Sequence, residues 1–202
     1  MKILVGCEFS QIVTRAFRDK GHEAYSCDIL PTEGNPDWHY QCDVRDVMNK
    51  GWDLFIAHPD CTRLCNSGVR WLWERDLWEE MQISGEFFWS LLNADCGRIC
   101  LENPIPHKYA VEIIGRKYDQ IIQPWMFGHG ETKATCLWLK GLPELVPTNI
   151  VEGREQRIWK MPRNSNRGKD RSRTFQGIAN AMAEQWVNEM DYFSMFSGMG
   201  RI

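Results

Sequence analysis

The sequence contains no long hydrophobic run. None of its apolar stretches approaches the roughly eighteen residues that a membrane-spanning helix needs, so no membrane partner is expected. The opening stretch from Met1 to Gly6 is too short for a secretory leader and lacks a cleavage pattern. The expected location is therefore the cytoplasm, where the eight cysteines would stay reduced. No Cys-x2-Cys pair occurs. Cys61-x3-Cys65 and Cys96-x3-Cys100 have spacings that zinc accepts, and His58 is near the first pair. Cys100, however, falls in an apolar strand, and no metal is expected. Internal repeats and low-complexity segments are lacking as well.

What is present fits an ordinary folded domain. Hydrophobic residues make up 43% of the 202 positions and charged residues 25%, which excludes a mainly disordered chain. One domain spanning 1–202 is predicted. The net charge of −3 hides an asymmetry, because residues 149–173 carry eight basic side chains against three acidic ones. That excess falls within a Pro-, Arg- and Asn-rich stretch at about 144–173, which reads as a short basic insert. The ten tryptophans invite two uses, base stacking and packing. Trp71, Trp73, Trp78 and Trp89 are expected mostly in the core, with Trp71 and Trp73 as alternative walls of a base pocket.

Strand-like and helix-like segments alternate along the chain. Lys2–Cys7 reads as a buried strand, and Ile12, Val13, Ala16 and Phe17 share one helix face in 11–20, which Gly21 stops. Strands are predicted at 23–27, 39–43, 53–57, 98–101, 119–123 and 136–140, and helices at 76–93, 108–116 and 176–190. This alternation with short loops predicts an α/β fold with a mostly parallel sheet covered on both faces. Ligands bind such sheets at the carboxyl ends of the strands. Glu8, Asp28, Asp43, His58, Asp60, Cys61, Glu102 and Asn103 all follow predicted strands and so collect on that edge.

Two of these segments suggest chemistry. Asp53-Leu-Phe-Ile-Ala-His-Pro-Asp-Cys61 sets a thiol on a turn directly after a buried strand, and Pro59 stiffens the turn. Leu101-Glu102-Asn103-Pro104 sets a carboxylate at another strand end. A fixed thiol and a fixed carboxyl at one cleft suit covalent attack on a ring that carries a protonatable nitrogen.

Asp53 to Gly68 resembles the nucleophile segment of the DNA cytosine-5 methyltransferases, in particular the short members common in phage and prophage sequences. Glu102-Asn103 resembles the family's Glu-Asn-Val. Glu131-Thr-Lys133-Ala-Thr135 stands where the family has Gln-x-Arg-x-Arg, and Gly177-Ile-Ala-Asn-Ala resembles its closing Gly-Asn-Ala segment. The resemblance covers about residues 3–186. It implies a Rossmann-like fold, S-adenosylmethionine as cofactor, cytosine-containing DNA as partner, and a monomer or weak dimer. A phage-encoded member would methylate its genome in the host cytoplasm against restriction.

By the same resemblance Cys61 is the nucleophile at cytosine C6, Glu102 engages N3, and Lys133 orients the base or the carboxyl. Asp28 would hold the cofactor ribose and Asp43 its adenine amine. The turn Cys7-Glu8-Phe9-Ser10, together with His58 and Pro59, would line the rest of that ligand. Asn103 and the insert residues Arg154, Arg157, Trp159, Lys160, Arg163, Arg167, Arg171 and Arg173 would meet DNA. The first turn departs from the family's Phe-x-Gly-x-Gly, since no glycine follows Gly6 there. Asp60 replaces a Pro and is expected to raise the neighbouring thiol's pKa. With so small a recognition segment, a free cytidine nucleotide or single-stranded DNA is an alternative substrate. A nucleic-acid-binding relative without catalysis is the non-enzymatic alternative.

Overall fold

A computed structural model describes residues 1–162 and 167–197. Seven strands form one sheet: β1 (Lys2–Gly6), β2 (Glu23–Asp28), β3 (His39–Gln41), β4 (Leu54–Ala57), β5 (Ile99–Pro104), β6 (Gln120–Ile122) and β7 (Thr135–Lys140). Their spatial order is β3-β2-β1-β4-β5-β7-β6. Neighbours from β3 to β5 pair in parallel, and β7 runs antiparallel to both β5 and β6. This is the mostly parallel, Rossmann-like α/β sheet that the sequence predicts. The order reverses between β1 and β4, so the crevice above their carboxyl ends is the switch point where such sheets take ligands.

Alternation along each strand feeds two cores. Ile3 and Val5 of β1 join Leu54, Ile56, Cys100 and Leu137 on one face, under α1 (Ile12–Asp19) and α7 (Gln176–Ser197). Leu4 joins Phe55, Leu101 and Trp138 on the other, packed against Phe88 and Leu91 of α3 (Trp78–Leu92) and Ile114 of α4 (Lys108–Ile114). The buried indoles keep partners: Trp138 Nε1 donates to the Arg116 carbonyl and Trp186 Nε1 to that of Pro143. Gly177 opens α7 so close to Phe127 that a Cβ would collide with the Phe127 carbonyl, which explains this glycine.

Several boundaries differ from expectation for local reasons. The third strand ends at Gln41, because Asp43 caps a 3-10 turn over Val44–Asp46. The long helix starts at Trp78 rather than 76, since Asp76 takes the left-handed conformation at φ 51. A five-residue helix, α2 (Arg70–Glu74), precedes it. Gly115, at φ 80, stops α4 two residues early. Among the described residues the insert carries two short helices, α5 (Arg157–Lys160) and α6 (Arg167–Ser172). None of Trp71, Trp73, Trp78 and Trp89 is buried, against the core expectation. Trp73 and Trp78 instead pack edge-on to each other and to Tyr109.

Candidate active site

The turn after β1 replaces the missing glycines with held side chains. Cys7 and Gln11 both adopt φ 56, where a non-glycine residue costs about 1–2 kcal/mol. Gln11 is fixed there by three bonds. Its Nε2 donates to Ser26 Oγ at 3.0 Å and to the Asn35 carbonyl at 2.9 Å, and its Oε1 accepts from the Asn35 amide at 2.8 Å. Glu8 points inward. Its carboxylate accepts from the Val13 and Thr14 amides and from the Thr14 hydroxyl, at 2.6, 3.2 and 2.6 Å, and so caps the start of α1. Phe9 and Ser10 are buried, and Lys169 and Arg173 stack over the Phe9 ring. Of the four residues expected to line this part of the cofactor, Glu8, Phe9 and Ser10 are buried and Cys7 is partly exposed.

The neighbouring strand end is more open. Asp28 closes β2 half-buried, its carboxylate accepting from the Leu30 amide. Ile29 is 73% exposed beside it, an apolar surface with no partner in the fold. Asp43 is occupied. Its two oxygens take a bidentate pair from Arg45, which with the Arg45 amide holds its pKa below the usual carboxylate range.

The donor set thus fits one end of S-adenosylmethionine. Asp28 has acceptor capacity for ribose hydroxyls, and Ile29 offers a face for adenine. The Glu8–Ser10 side chains, buried and spoken for, do not add to that set.

β4 delivers His58-Pro59-Asp60 and then Cys61. The Cys61 carbonyl accepts from the Leu64 and Cys65 amides, which winds 61–65 into one helical turn. Buried Leu64 anchors this turn, and the loop is sewn to the chain that leaves β5. The Asn66 amide donates to Ile105, the His107 amide to Leu64, and Cys65 bridges Pro106. Asp60 turns toward Thr62 and accepts from its amide and hydroxyl. The Cys61 thiol is still pushed up, first by its hydrogen bond to Cys65, then by burial and by the charges of Cys65 and Asp60. Cys65 is drawn down by the same bond, and the Ser67 hydroxyl at 3.2 Å helps.

β5 runs on to Pro104 because its last residues pair with β7, so Glu102 and Asn103 lie within the strand rather than after it. The Glu102 side chain is 12% exposed, and its Oε1 lies 3.0 Å from Nδ1 of His58, whose side chain is 8% exposed. Burial alone would raise the Glu102 pKa; the His58 and Lys133 charges outweigh it and hold the carboxyl below its ordinary value. Lys133 Nζ donates to the Arg173 carbonyl at 3.2 Å. Its charge reaches both Cys61 and Glu102. Asn103, expected to meet substrate, is buried instead. Its register opposite Cys136 turns it into the sheet, and its Nδ2 donates to the Pro104 carbonyl.

The insert is folded back on the domain rather than displayed as a basic strip. Arg173 makes a bidentate pair with Glu33, and Arg157 Nε and Nη2 both donate to Oε1 of Glu131. Arg154 lies over Trp125 and donates to the Val151 and Gly153 carbonyls. Arg167 donates to the Trp159 carbonyl. Arg157 and Arg173 also line a cavity of about 380 Å³ that includes neither Cys61 nor Glu102. Lys160, Lys169 and Arg171 make no ion pair among the described residues, and Trp159 is 71% exposed. Arg163 lies outside the described residues. The Cys61-x3-Cys65 spacing, read in the sequence as a zinc-compatible pair, places the two residues one helical turn apart. Sequence reasoning missed Ile29, signalled by an apolar pair directly after a strand-end Asp.

The sequence matches no protein-family model and no curated protein. Among solved structures it is similar to a prophage-encoded protein of E. coli assigned as a DNA modification methyltransferase, at 12% identity and a TM-score of 0.47. That match covers 75% of this chain and 52% of the other. It is similar to the S. pombe Dnmt2 methyltransferase at 12% identity and a TM-score of 0.47, covering 79% and 54%. The Entamoeba histolytica methyltransferase EhMeth gives 16% identity and a TM-score of 0.44, covering 82% and 62%. The chain spans about half the length of the first two.

Proposed function

We propose that this chain is an S-adenosylmethionine-dependent methyltransferase that acts on C5 of cytosine in DNA, with Cys61 as nucleophile. The observation that carries the reading is the 3.0 Å contact between Glu102 Oε1 and Nδ1 of His58, three residues before Cys61. It ties the carboxyl on β5 to the turn that bears the sulfur after the adjacent parallel strand β4. A thiol and a carboxyl brought together from neighbouring strands suit addition to a pyrimidine.

In this reading the Cys61 thiolate adds to C6, the C5–C6 π pair shifts to C4–C5, and the C4–N3 π pair takes up at N3 a proton handed over by Glu102. The cofactor supplies an electrophilic methyl group for C5. Loss of the C5 proton to a base then expels the thiolate and restores the ring. Asp28 and Ile29 would hold the ribose and adenine. Lys133 favours the thiolate over the thiol at Cys61, against the raising effects of Cys65, burial and Asp60. A cytosine within a duplex would have to be flipped out at a cost of a few kcal/mol.

One observation favours a smaller substrate as a second reading. Arg154, Arg157 and Arg173 are engaged within the chain, which leaves few cations to track a duplex. Labelled methyl transfer to deoxycytidine monophosphate, single strands and duplex tests both readings. Transfer to duplex that is lost in Cys61→Ser supports the first. Transfer confined to nucleotide or single strands supports the second, and no transfer to any of the three overturns both.

A further inference from the structure

His58 has no use in the scheme above. Its backbone amide donates to the Gly6 carbonyl at 3.0 Å, which fixes it in the turn between β4 and Cys61. Nδ1 stands 3.0 Å from Glu102 Oε1, yet neither ring nitrogen has a hydrogen-bond partner among the described residues. The short contact is an ion pair, and Nε2 is left bare. The charged groups facing the ring are Glu8 from the turn after β1, Glu102 from β5, and Lys133 from the segment before β7. Glu8 is occupied by the Val13 and Thr14 amides and the Thr14 hydroxyl. Glu102 accepts no hydrogen bond from any other described group, so it alone is available to exchange a proton with Nδ1.

We propose that His58 stores the proton that Glu102 delivers to the substrate ring, which makes it a positioning residue for that proton rather than a contact to the cofactor. The inference rests on the methyltransferase reading. At rest the proton is on the imidazole and Glu102 is a carboxylate. As the Cys61 Sγ–C6 bond forms, Nδ1–H breaks, the proton passes to Glu102 and on to N3, and the imidazole is left neutral. When the C5 proton has gone to a base and the Sγ–C6 bond breaks, N3 returns its proton by the same route. No proton is gained or lost by the pair over a cycle. Burial alone would keep the imidazole neutral. The Glu102 and Glu8 carboxylates outweigh it and hold the ring protonated above its ordinary 6.5.

Two measurements test this. Ring ¹⁵N NMR of the whole chain should give His58 a titration midpoint above 6.5, and Glu102→Gln should lower it by about one unit or more. A wild-type midpoint at or below 6.5 overturns the proposal whatever the reaction. The second measurement is the pH profile of methyl transfer. Wild type should lose rate as the pH rises through the imidazole midpoint. His58→Gln should be slower by about a hundredfold and regain rate toward acid, where Glu102 takes its proton from solvent. A His58→Gln enzyme with the wild-type rate and profile overturns the proposal and leaves the methyltransferase reading standing. A wild-type chain that transfers to no cytosine substrate removes that reading, and this role of His58 with it.

Discussion

The Cys65 amide donates to the Cys61 carbonyl at 3.0 Å, and that single turn sets two thiols on one face. The sulfur proposed to attack is the one whose pKa this neighbour raises. Removing its neighbour should release it. In Cys65→Ala the alkylation midpoint of Cys61 by iodoacetamide should fall relative to wild type, because the hydrogen bond to Cys65 and the Cys65 charge, both raising, disappear. Mass-spectrometric mapping of labelled cysteines against pH reads this. An unchanged or higher Cys61 midpoint would show that the two thiols do not couple.

The roles of sulfur and carboxyl can be separated. Cys61→Ser should abolish methyl transfer, since an alkoxide is far less accessible than a thiolate at neutral pH, while Cys61→Ala should keep substrate binding. Glu102→Gln should lose about 10²-fold or more in rate, because an amide cannot give and recover a proton. Transfer assays beside fluorescence-polarisation binding check both. Full activity in Cys61→Ala would defeat the nucleophile assignment.

The His58–Glu102 pair also sets a pH window for stability. His58 is raised above 6.5, so its contribution is fully present below 6.5 and is lost as pH rises through the folded value. Glu102 is lowered below 4.5, so its contribution is present above 4.5 and is lost as pH falls through the folded value. Denaturant midpoints should therefore be highest between these two limits. His58→Ala, which strands a buried carboxylate, should cost about 3–5 kcal/mol at pH 6, and most of that loss should vanish when Glu102→Gln is added. Additive losses in the double variant would argue against a coupled pair.

The first turn offers a cleaner test of backbone strain. Gln11→Ala and Gln11→Gly both lose the bonds to Ser26 and Asn35, for about 1–3 kcal/mol, but only glycine relieves the φ of 56. Urea unfolding should find the glycine variant more stable than the alanine variant by about 1 kcal/mol. Equal stabilities would mean that the turn relaxes out of the left-handed region once its side-chain bonds are gone.

Much of this architecture is legible in the sequence, because it follows from periodicity and strand-end chemistry. Ile3 and Val5 against Leu4 announce a strand buried on both faces, and the placement of Cys61 on the turn beyond β4 follows from a parallel sheet, whereas Glu102 lies inside β5 because β7 extends that strand. What was not legible depends on partners distant in the chain. Arg173 meets Glu33 across 140 positions, and no local pattern distinguishes that guanidinium from one left for phosphate. Gln11 does a glycine's work only because Ser26 and Asn35 hold it. The exposed Trp73 sits on a helix of five residues, too short for any period to show which side faces out.

The folded-back insert makes a quantitative prediction about nucleic acid. If the eight basic side chains of 149–173 all tracked phosphates, the slope of log K against log salt for duplex would be about −7. Lys160, Lys169 and Arg171 are the described insert cations without an ion pair or a carbonyl partner, and three contacts give a slope of about −3 for duplex, or about −2 for a single strand. Fluorescence-polarisation titrations from low to moderate salt should find the shallower value. Adding Arg173→Ala should leave the slope nearly unchanged, since that guanidinium already neutralises Glu33. Glu33→Gln should steepen the slope by about one contact, because it frees Arg173 without removing it. A steep slope in the wild type, reduced by Arg173→Ala, would mean that phosphate displaces Glu33 and that the insert opens when nucleic acid binds.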